Sequence, residues 1–189
     1  MRSSLKKFFS VKDVFKARNL TVMAILLAMR AILSQFDIYV SASFRALSFA
    51  ELPGALAAIL YGPWAGLAFA LLGDFFGYIV KPVGPYFPLF AVGEMLANFI
   101  YACFLYKREI KTLNVIFARL LIFATVSMGV NFISLSLLYG QTAGVFFTQA
   151  RFVSNAIQLP IHVFLVCFFG RFAVKAQAGR KAADSSAGR

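Results

Sequence analysis

The sequence is poor in the side chains that soluble enzymes use for chemistry. One histidine, two cysteines and seven acidic residues stand among 189, which leaves little from which to build a metal centre or an acid–base pair. Cys103 and Cys167 lie inside apolar runs without the CxxC spacing of a metal or redox site and read as packed thiols. There is no GxxxxGK[ST] phosphate loop, no HExxH and no Ser/His/Asp set on a plausible scaffold. The chain therefore has no means of hydrolysing ATP, any energy input must come from another chain, and neither a catalytic role nor a cofactor or metal is expected.

What is abundant is apolar surface. With 61% hydrophobic and 14% charged residues, a chain of this length belongs in lipid and not in water. The net charge of +12 does not point to nucleic acid, because Lys and Arg sit at the chain ends and in short gaps between apolar runs.

Spanning some 30 Å of hydrocarbon takes about twenty mostly apolar residues. Six segments qualify, near 20–37, 48–62, 64–80, 87–106, 115–139 and 148–174, with the second and third short. Tyr61-Gly62-Pro63-Trp64 separates those two by a tight turn, with a helix-starting proline and an interfacial tryptophan. The expected fold class is all-α, a six-transmembrane-helix bundle over residues 20–174.

Lys and Arg divide unevenly between the sides. With an inside start, the leader carries six, Lys107, Arg108, Lys111 and Arg119 make four, and the C-terminal end holds five, so fifteen of the nineteen lie inside. Arg45, Lys81 and Arg151 fall outside, and Arg30 lies within the first span. The positive-inside rule then puts both termini in the cytoplasm of a multi-pass cell-membrane protein. The leader, residues 1–19, lacks a small-residue cleavage site and reads as a retained amphipathic segment. The tail, residues 175–189, is small, polar and basic, the composition of a disordered end.

The first outer loop, Asp37 to Phe49, alternates Ile38, Val40, Ala42 and Phe44 with Tyr39, Ser41, Ser43 and Arg45, a weak strand signal fitting a small hairpin or lid. The second outer loop, from Lys81 to Phe90, is stiffened by three prolines. Its Tyr86, Phe87 and Phe90 form either interfacial anchors or a flat wall on which a planar heterocycle stacks.

Polar groups inside a bilayer face protein or a water-filled cavity. Arg151, Asn155, Gln158 and His162 recur at i, i+4, i+7 and i+11, one face of a helix. Ser127, Asn131 and Ser134 repeat the pattern in span five, Glu94, Asn98 and Tyr101 in span four, and Arg30, Ser34 and Asp37 in span one. These groups either satisfy one another, as in an ion pair of Arg30 with Glu94 or Asp74, or line a ligand pocket that opens outward. Small residues form a second pattern, Ala24, Ala28 and Ala31 on span one and Gly66, Ala70, Gly73 and Gly77 on span three, where another helix can approach closely.

Several segments resemble a known family: Ala24-Ile-Leu-Leu-Ala28-Met-Arg30-Ala-Ile-Leu-Ser34, Leu60-Tyr-Gly-Pro-Trp64, Gly73-Asp74-Phe-Phe-Gly77 and Tyr86-Phe-Pro-Leu-Phe90. Their order and spacing are similar to the substrate-binding S components of energy-coupling factor (ECF) vitamin transporters, and from Val130-Asn131 to Gly140 and Ala150-Arg151 to Pro160 the chain resembles the folate S component. The likeness runs over roughly residues 20 to 172. It departs at Leu89, where folate members usually carry glycine, and at Phe132, where they carry threonine.

The resemblance implies a membrane subunit that captures folate or a related pterin outside and passes it to an ECF transmembrane coupling subunit driven by two ATPase subunits. By the same likeness Ala24 and Ala28 match a contact motif for that coupling subunit, joined by Ala31 and by Gly66, Ala70 and Gly73. Arg151 and Asn131 match ligand-site positions. Charge and shape would have Arg151 hold a carboxylate or polar ring edge, Asn131 and Gln158 read heteroatoms, and Tyr86 and Phe90 stack, with Phe87, Glu94 and Asn155 also placed at the site. The alternatives are a different vitamin or precursor, thiamine-related, pyridoxine or a queuosine precursor, or an intramembrane enzyme built on Glu94, Asp74 and His162.

Overall fold

The computed structural model describes residues 17–36, 38–41, 44–80, 82 and 86–187, and their side chains except at 17–18, 38–41, 44–47, 139, 141–151, 153 and 180–187. Most of the leader, together with Asp37, Ala42, Ser43 and Lys81, lies outside the described residues, as do the side chains of Arg45 and Arg151.

The elements run α1 (Ala17–Leu33) with a 3-10 turn at Ser34–Phe36, a hairpin of β1 (Ile38–Ser41) and β2 (Phe44–Leu47), α2 (Glu51–Tyr61), α3 (Pro63–Val80), α4 (Pro88–Leu105), α5 (Thr112–Ile122), a π-helical segment (Phe123–Val130), α6 (Asn131–Tyr139) and α7 (Gln141–Ala187). Helix α5, the π segment and α6 follow one another without a break and fill the place of the fifth span. The result is the expected six-helix bundle. The alternating first loop folds as the antiparallel hairpin its pattern suggests, with Ile38 opposite Leu47 and Ser41 opposite Phe44, and β2 packs on α7.

The second helix does not match the span expected at 48–62. Among the described residues five helical stretches, Asn19–Phe36, Pro63–Val80, Pro88–Leu105, Thr112–Leu138 and Ser154–Gly179, are long and apolar enough to cross a bilayer. Helix α2 has 11 residues, about 16 Å at 1.5 Å per residue, half of the hydrocarbon thickness. Every residue from Leu52 to Ile59 is buried, and α1, α3, α4 and α7 all pack around it. It is a core helix, apolar because protein surrounds it and not because it faces lipid. Its C-terminal stop is Gly62, at φ 91°, a left-handed backbone that favours glycine. A Cβ there would also lie 2.9 Å from the Tyr106 ring, and Pro63 at once begins α3.

The core is rich in alanine: Ala55, Ala57, Ala58, Ala65, Ala70, Ala102 and Ala118 are fully or almost fully buried beside Phe69, Leu105 and Val115. Small side chains let backbones approach where lipid gives helices little hydrophobic reason to associate. Large apolar residues point outward instead, among them Ile25, Ile32, Leu71, Phe75, Phe117, Ile133, Phe164 and Phe172, the surface a bilayer solvates.

One end of the bundle is gathered by polar contacts. Arg171 donates to the Ile110 carbonyl at 3.1 Å and Gln177 to the Leu60 carbonyl at 3.4 Å, tying α7 to the α4–α5 loop and the last turn of α2. Lys107, Arg108, Lys111, Arg171 and Lys175 are exposed at this end. Helix α7 is 47 residues long, about 70 Å, and runs well past the bundle. The tail, expected from its composition to be disordered, is helical through Ala187, in keeping with the helix propensity of its alanines, lysine and arginine.

Candidate ligand site

Two groups of buried polar residues lie at different depths. The first is near the C-terminal ends of α1 and α3 and the N-terminal end of α4. Arg30, only 8% exposed, leaves α1 and places Nη1 3.3 Å from Glu94 Oε2 on α4. The space it crosses is made by Gly73 on α3, where an added Cβ would meet Arg30 Nε at 2.8 Å and Cδ at 2.9 Å. The next residue, Asp74, accepts a hydrogen bond from the Tyr86 hydroxyl; partial burial and the Asp74 carboxylate hold that hydroxyl above the usual phenol range. Of the two partners open to Arg30 in the sequence, Glu94 is the one it meets.

On the other side of Glu94, Gly93 brings α4 against the π segment. A Cβ on Gly93 would lie 3.2 Å from Val126, 3.5 Å from Val130 and 3.9 Å from Asn131 Oδ1. Glu94 and the half-buried Asn131 thus flank one helix crossing. π-Helical turns are rare and often occur at functional sites. Here the turn widens the fifth span just before Asn131, a feature for which the sequence carries no proline or other local marker.

The polar face of α7 turns inward as its spacing requires. Ser154, Gln158 and His162 are buried and Asn155 is half-buried. Gln158 Nε2 donates to Ser154 Oγ at 2.9 Å. On α6, Ser134 is fully buried but donates to the Val130 carbonyl at 2.7 Å, so its hydroxyl serves its own helix. The aromatics around the α3–α4 connection gather in pairs: Tyr86 with Tyr78, ring centres 5.0 Å apart, and Phe87 edge-on to Phe90 at 6.1 Å.

The second polar group lies deeper, and sequence reasoning does not find it. Arg119, expected on the cytoplasmic side, is buried two turns into α5, where it pairs with Glu51 at the start of α2 and hydrogen-bonds the Tyr101 hydroxyl. His162 Nδ1 lies 3.4 Å from the same Glu51 oxygen, and Nε2 is 2.7 Å from the Ser48 carbonyl. A carbonyl only accepts, so Nε2 carries a proton, and a second proton on Nδ1 would make the contact with Glu51 an ion pair. The signal that could have found the group is Glu51, a lone acid in an apolar stretch whose cation lies 68 residues away. His162 is thus committed to Glu51, Glu94 to Arg30 and Asp74 to Tyr86, so the three residues an intramembrane enzyme would use do not converge. Among the described residues no three His, Cys, Asp or Glu side chains form a metal-binding group.

The two small-residue stripes part company. Ala24 and Ala28 are exposed and Ala31 half-buried on α1. Gly66, Ala70 and Gly73 are buried within the chain, Gly66 with its Cβ position 3.0 Å from Ala58 and Gly73 beneath Arg30. Gly66, Ala70 and Gly73 of span three thus pack against neighbouring helices of the same chain, whereas Gly77 has nothing within 4 Å of its Cβ position.

A helical bundle in a membrane, with polar groups turned inward from four helices and no phosphate loop, has the form of a substrate-binding subunit that relies on others for energy. The sequence profile of the ECF transporter substrate-specific component matches residues 18–169, and the chain belongs to that family. A folate transporter, FolT of Clostridium novyi (strain NT), is 26% identical over 151 residues, covering 80% of this chain and 87% of the relative. Among solved structures, FolT bound with folic acid is similar with a TM-score of 0.74 and 28% identity, over 82% of this chain and 94% of that one. The S component of a bacterial ECF transporter shares the fold, with a TM-score of 0.56 and 22% identity over 83% and 96% of the two chains.

Proposed function

We propose that this chain captures folate or a related pterin on the outer face of the cell membrane and delivers it to an ECF coupling subunit powered by paired ATPases. The observation that carries this reading is the likeness to FolT bound with folic acid, at a TM-score of 0.74 over 94% of that chain. The termini are cytoplasmic: Lys107, Arg108, Lys111, Arg171 and Lys175 share the end from which α1 rises, and positive charge favours the inside. Moving Arg119 from that count into the core leaves fourteen of nineteen basic residues inside, and the orientation is unchanged.

In this reading the ligand lies between the outer halves of α4, α6 and α7, under the hairpin that β2 docks on α7. Glu94, Asn131, Asn155 and Gln158 read ring heteroatoms, Tyr86, Phe87 and Phe90 give stacking surface, and Arg151 holds a ligand carboxylate. Ala24 and Ala28, exposed on α1, and the half-buried Ala31 beside them form the coupling-subunit contact.

Titration of folic acid into the purified chain tests the proposal. The parent binds, and Arg151→Ala weakens binding on the order of a hundred-fold or more, the loss expected when one member of a charged hydrogen-bonded pair is truncated. A parent that ignores folic acid but is stabilised by pyridoxine or a thiamine precursor in a thermal-shift panel would move the ligand while keeping the scaffold.

A further inference from the structure

The Arg30–Glu94 pair is built with more care than helix packing needs. Arginine is one of the longest and most strongly charged side chains available. Here it leaves a helix whose opposite side is exposed, passes over α3 and ends on α4, and α3 makes way for it with a glycine. A Cβ at residue 73 would collide with Arg30 Nε at 2.8 Å and crowd Cζ at 3.1 Å. Arg30 is buried, whereas the Glu94 side chain is one-quarter exposed, although it lies within the bundle and six residues down α4 from Pro88. Arg30 engages one of its two oxygens, Oε2.

A carboxylate held on one oxygen from behind is an acceptor with capacity to spare, and its arginine partner cannot lose its charge. Whatever meets the remaining oxygen must donate. Another anion is repelled, and a group that only accepts gains nothing. Taken with the proposed pterin ligand, on which this step rests, the edge that fits is the aminopyrimidinone edge, with an exocyclic amine beside a ring N–H. The ligand's own carboxylates then belong at the other end, with Arg151.

We infer that Arg30 is a positioning residue for ligand selection: seated in the gap left by Gly73, it fixes the Glu94 carboxylate so that Glu94 reads the N–H donor edge of the ligand ring. Arg30 itself does not touch the ligand. Because it springs from the helix that carries Ala24 and Ala28, the same side chain ties the ring-reading group to the element proposed to meet the coupling subunit.

The test compares folic acid with an analogue lacking the exocyclic amine, in the parent and in four variants, with unfolding of each protein followed without ligand. The parent prefers folic acid by about 10- to 100-fold, the range for a charge-assisted hydrogen bond. Glu94→Gln and Arg30→Met reduce that preference to about 3-fold or less, Arg30→Lys restores part of it, and Gly73→Ala, which touches neither Glu94 nor ligand, loses it as Arg30→Met does. A purely structural ion pair would weaken both compounds equally and leave their ratio at the parent value, and that result overturns the inference. If the parent binds neither compound, the folate reading falls and this inference with it; if the parent discriminates and Arg30→Met discriminates as well, only the positioning role falls.

Discussion

Replacing Arg119 by methionine removes the arginine paired with Glu51 while keeping most of the side-chain volume. Glu51 and His162 stay where they are, at the foot of α2 and midway along α7, with the Tyr101 hydroxyl also losing its arginine. Truncating one partner of a buried pair costs about 3–5 kcal/mol, because the other charge remains buried and unmatched. The arginine side chain is 5% exposed and that of Glu51 31%, so Glu51 recovers some hydration and the lower half of that range is expected. At about 2–4 °C per kcal/mol for a domain of this size, a loss of ~3–4 kcal/mol lowers the unfolding midpoint by roughly 6–16 °C. The assay is thermal unfolding in detergent, followed by loss of the monodisperse peak in size-exclusion chromatography. Glu51→Leu combined with Arg119→Met removes both charges and returns most of the loss, since an apolar replacement of a whole buried pair is often neutral. A single variant that unfolds with the parent, or a double variant no better than the single, refutes the reasoning.

Two other perturbations follow from the geometry. Gly62→Ala forces an alanine into a backbone at φ 91° and into the Tyr106 ring; about 1–3 kcal/mol of strain is expected, seen as a lower unfolding midpoint, whereas Gly77→Ala, where nothing lies within 4 Å of the new Cβ, is neutral or slightly stabilising. Tyr86→Phe deletes the hydroxyl that donates to Asp74 but keeps the ring, so folic acid affinity falls by about 10-fold or less if Tyr86 acts chiefly by stacking, and by more only if the Asp74 bond sets the ring's position.

Much of this is legible in the sequence, for physical reasons. The five longer apolar runs, the Tyr61–Trp64 turn and the alternation seen in Ile38–Ser41 and Phe44–Leu47 are local signals, and each folds as read. The Arg30–Glu94 pair is one of two possibilities, because an arginine inside an apolar span must find an anion. What fails is inference at a distance. An apolar stretch reads the same whether lipid or protein covers it, so the buried 11-residue α2 has the sequence of a short span. Glu51 and Arg119 lie 68 residues apart, and Arg119 is close to the basic loop in sequence, although two turns of α5 carry it into the core. Glycine spacing on α3 says that something approaches closely but not whether it is another chain or Ala58 and Arg30 of the same one. The tail has the composition of a disordered end, while its alanines, lysine and arginine also favour helix.

Ligand capture here depends on polar side chains of several helices meeting at one molecule, and determining the structure of the purified chain with folic acid addresses that directly. The predicted result is the pterin ring between α4 and α6, its N–H edge on Glu94 and Asn131 beside it, with the carboxylate end toward Arg151. Folic acid bound away from these residues, or absent while Glu94 and Asn131 pack against neighbouring side chains, would contradict it.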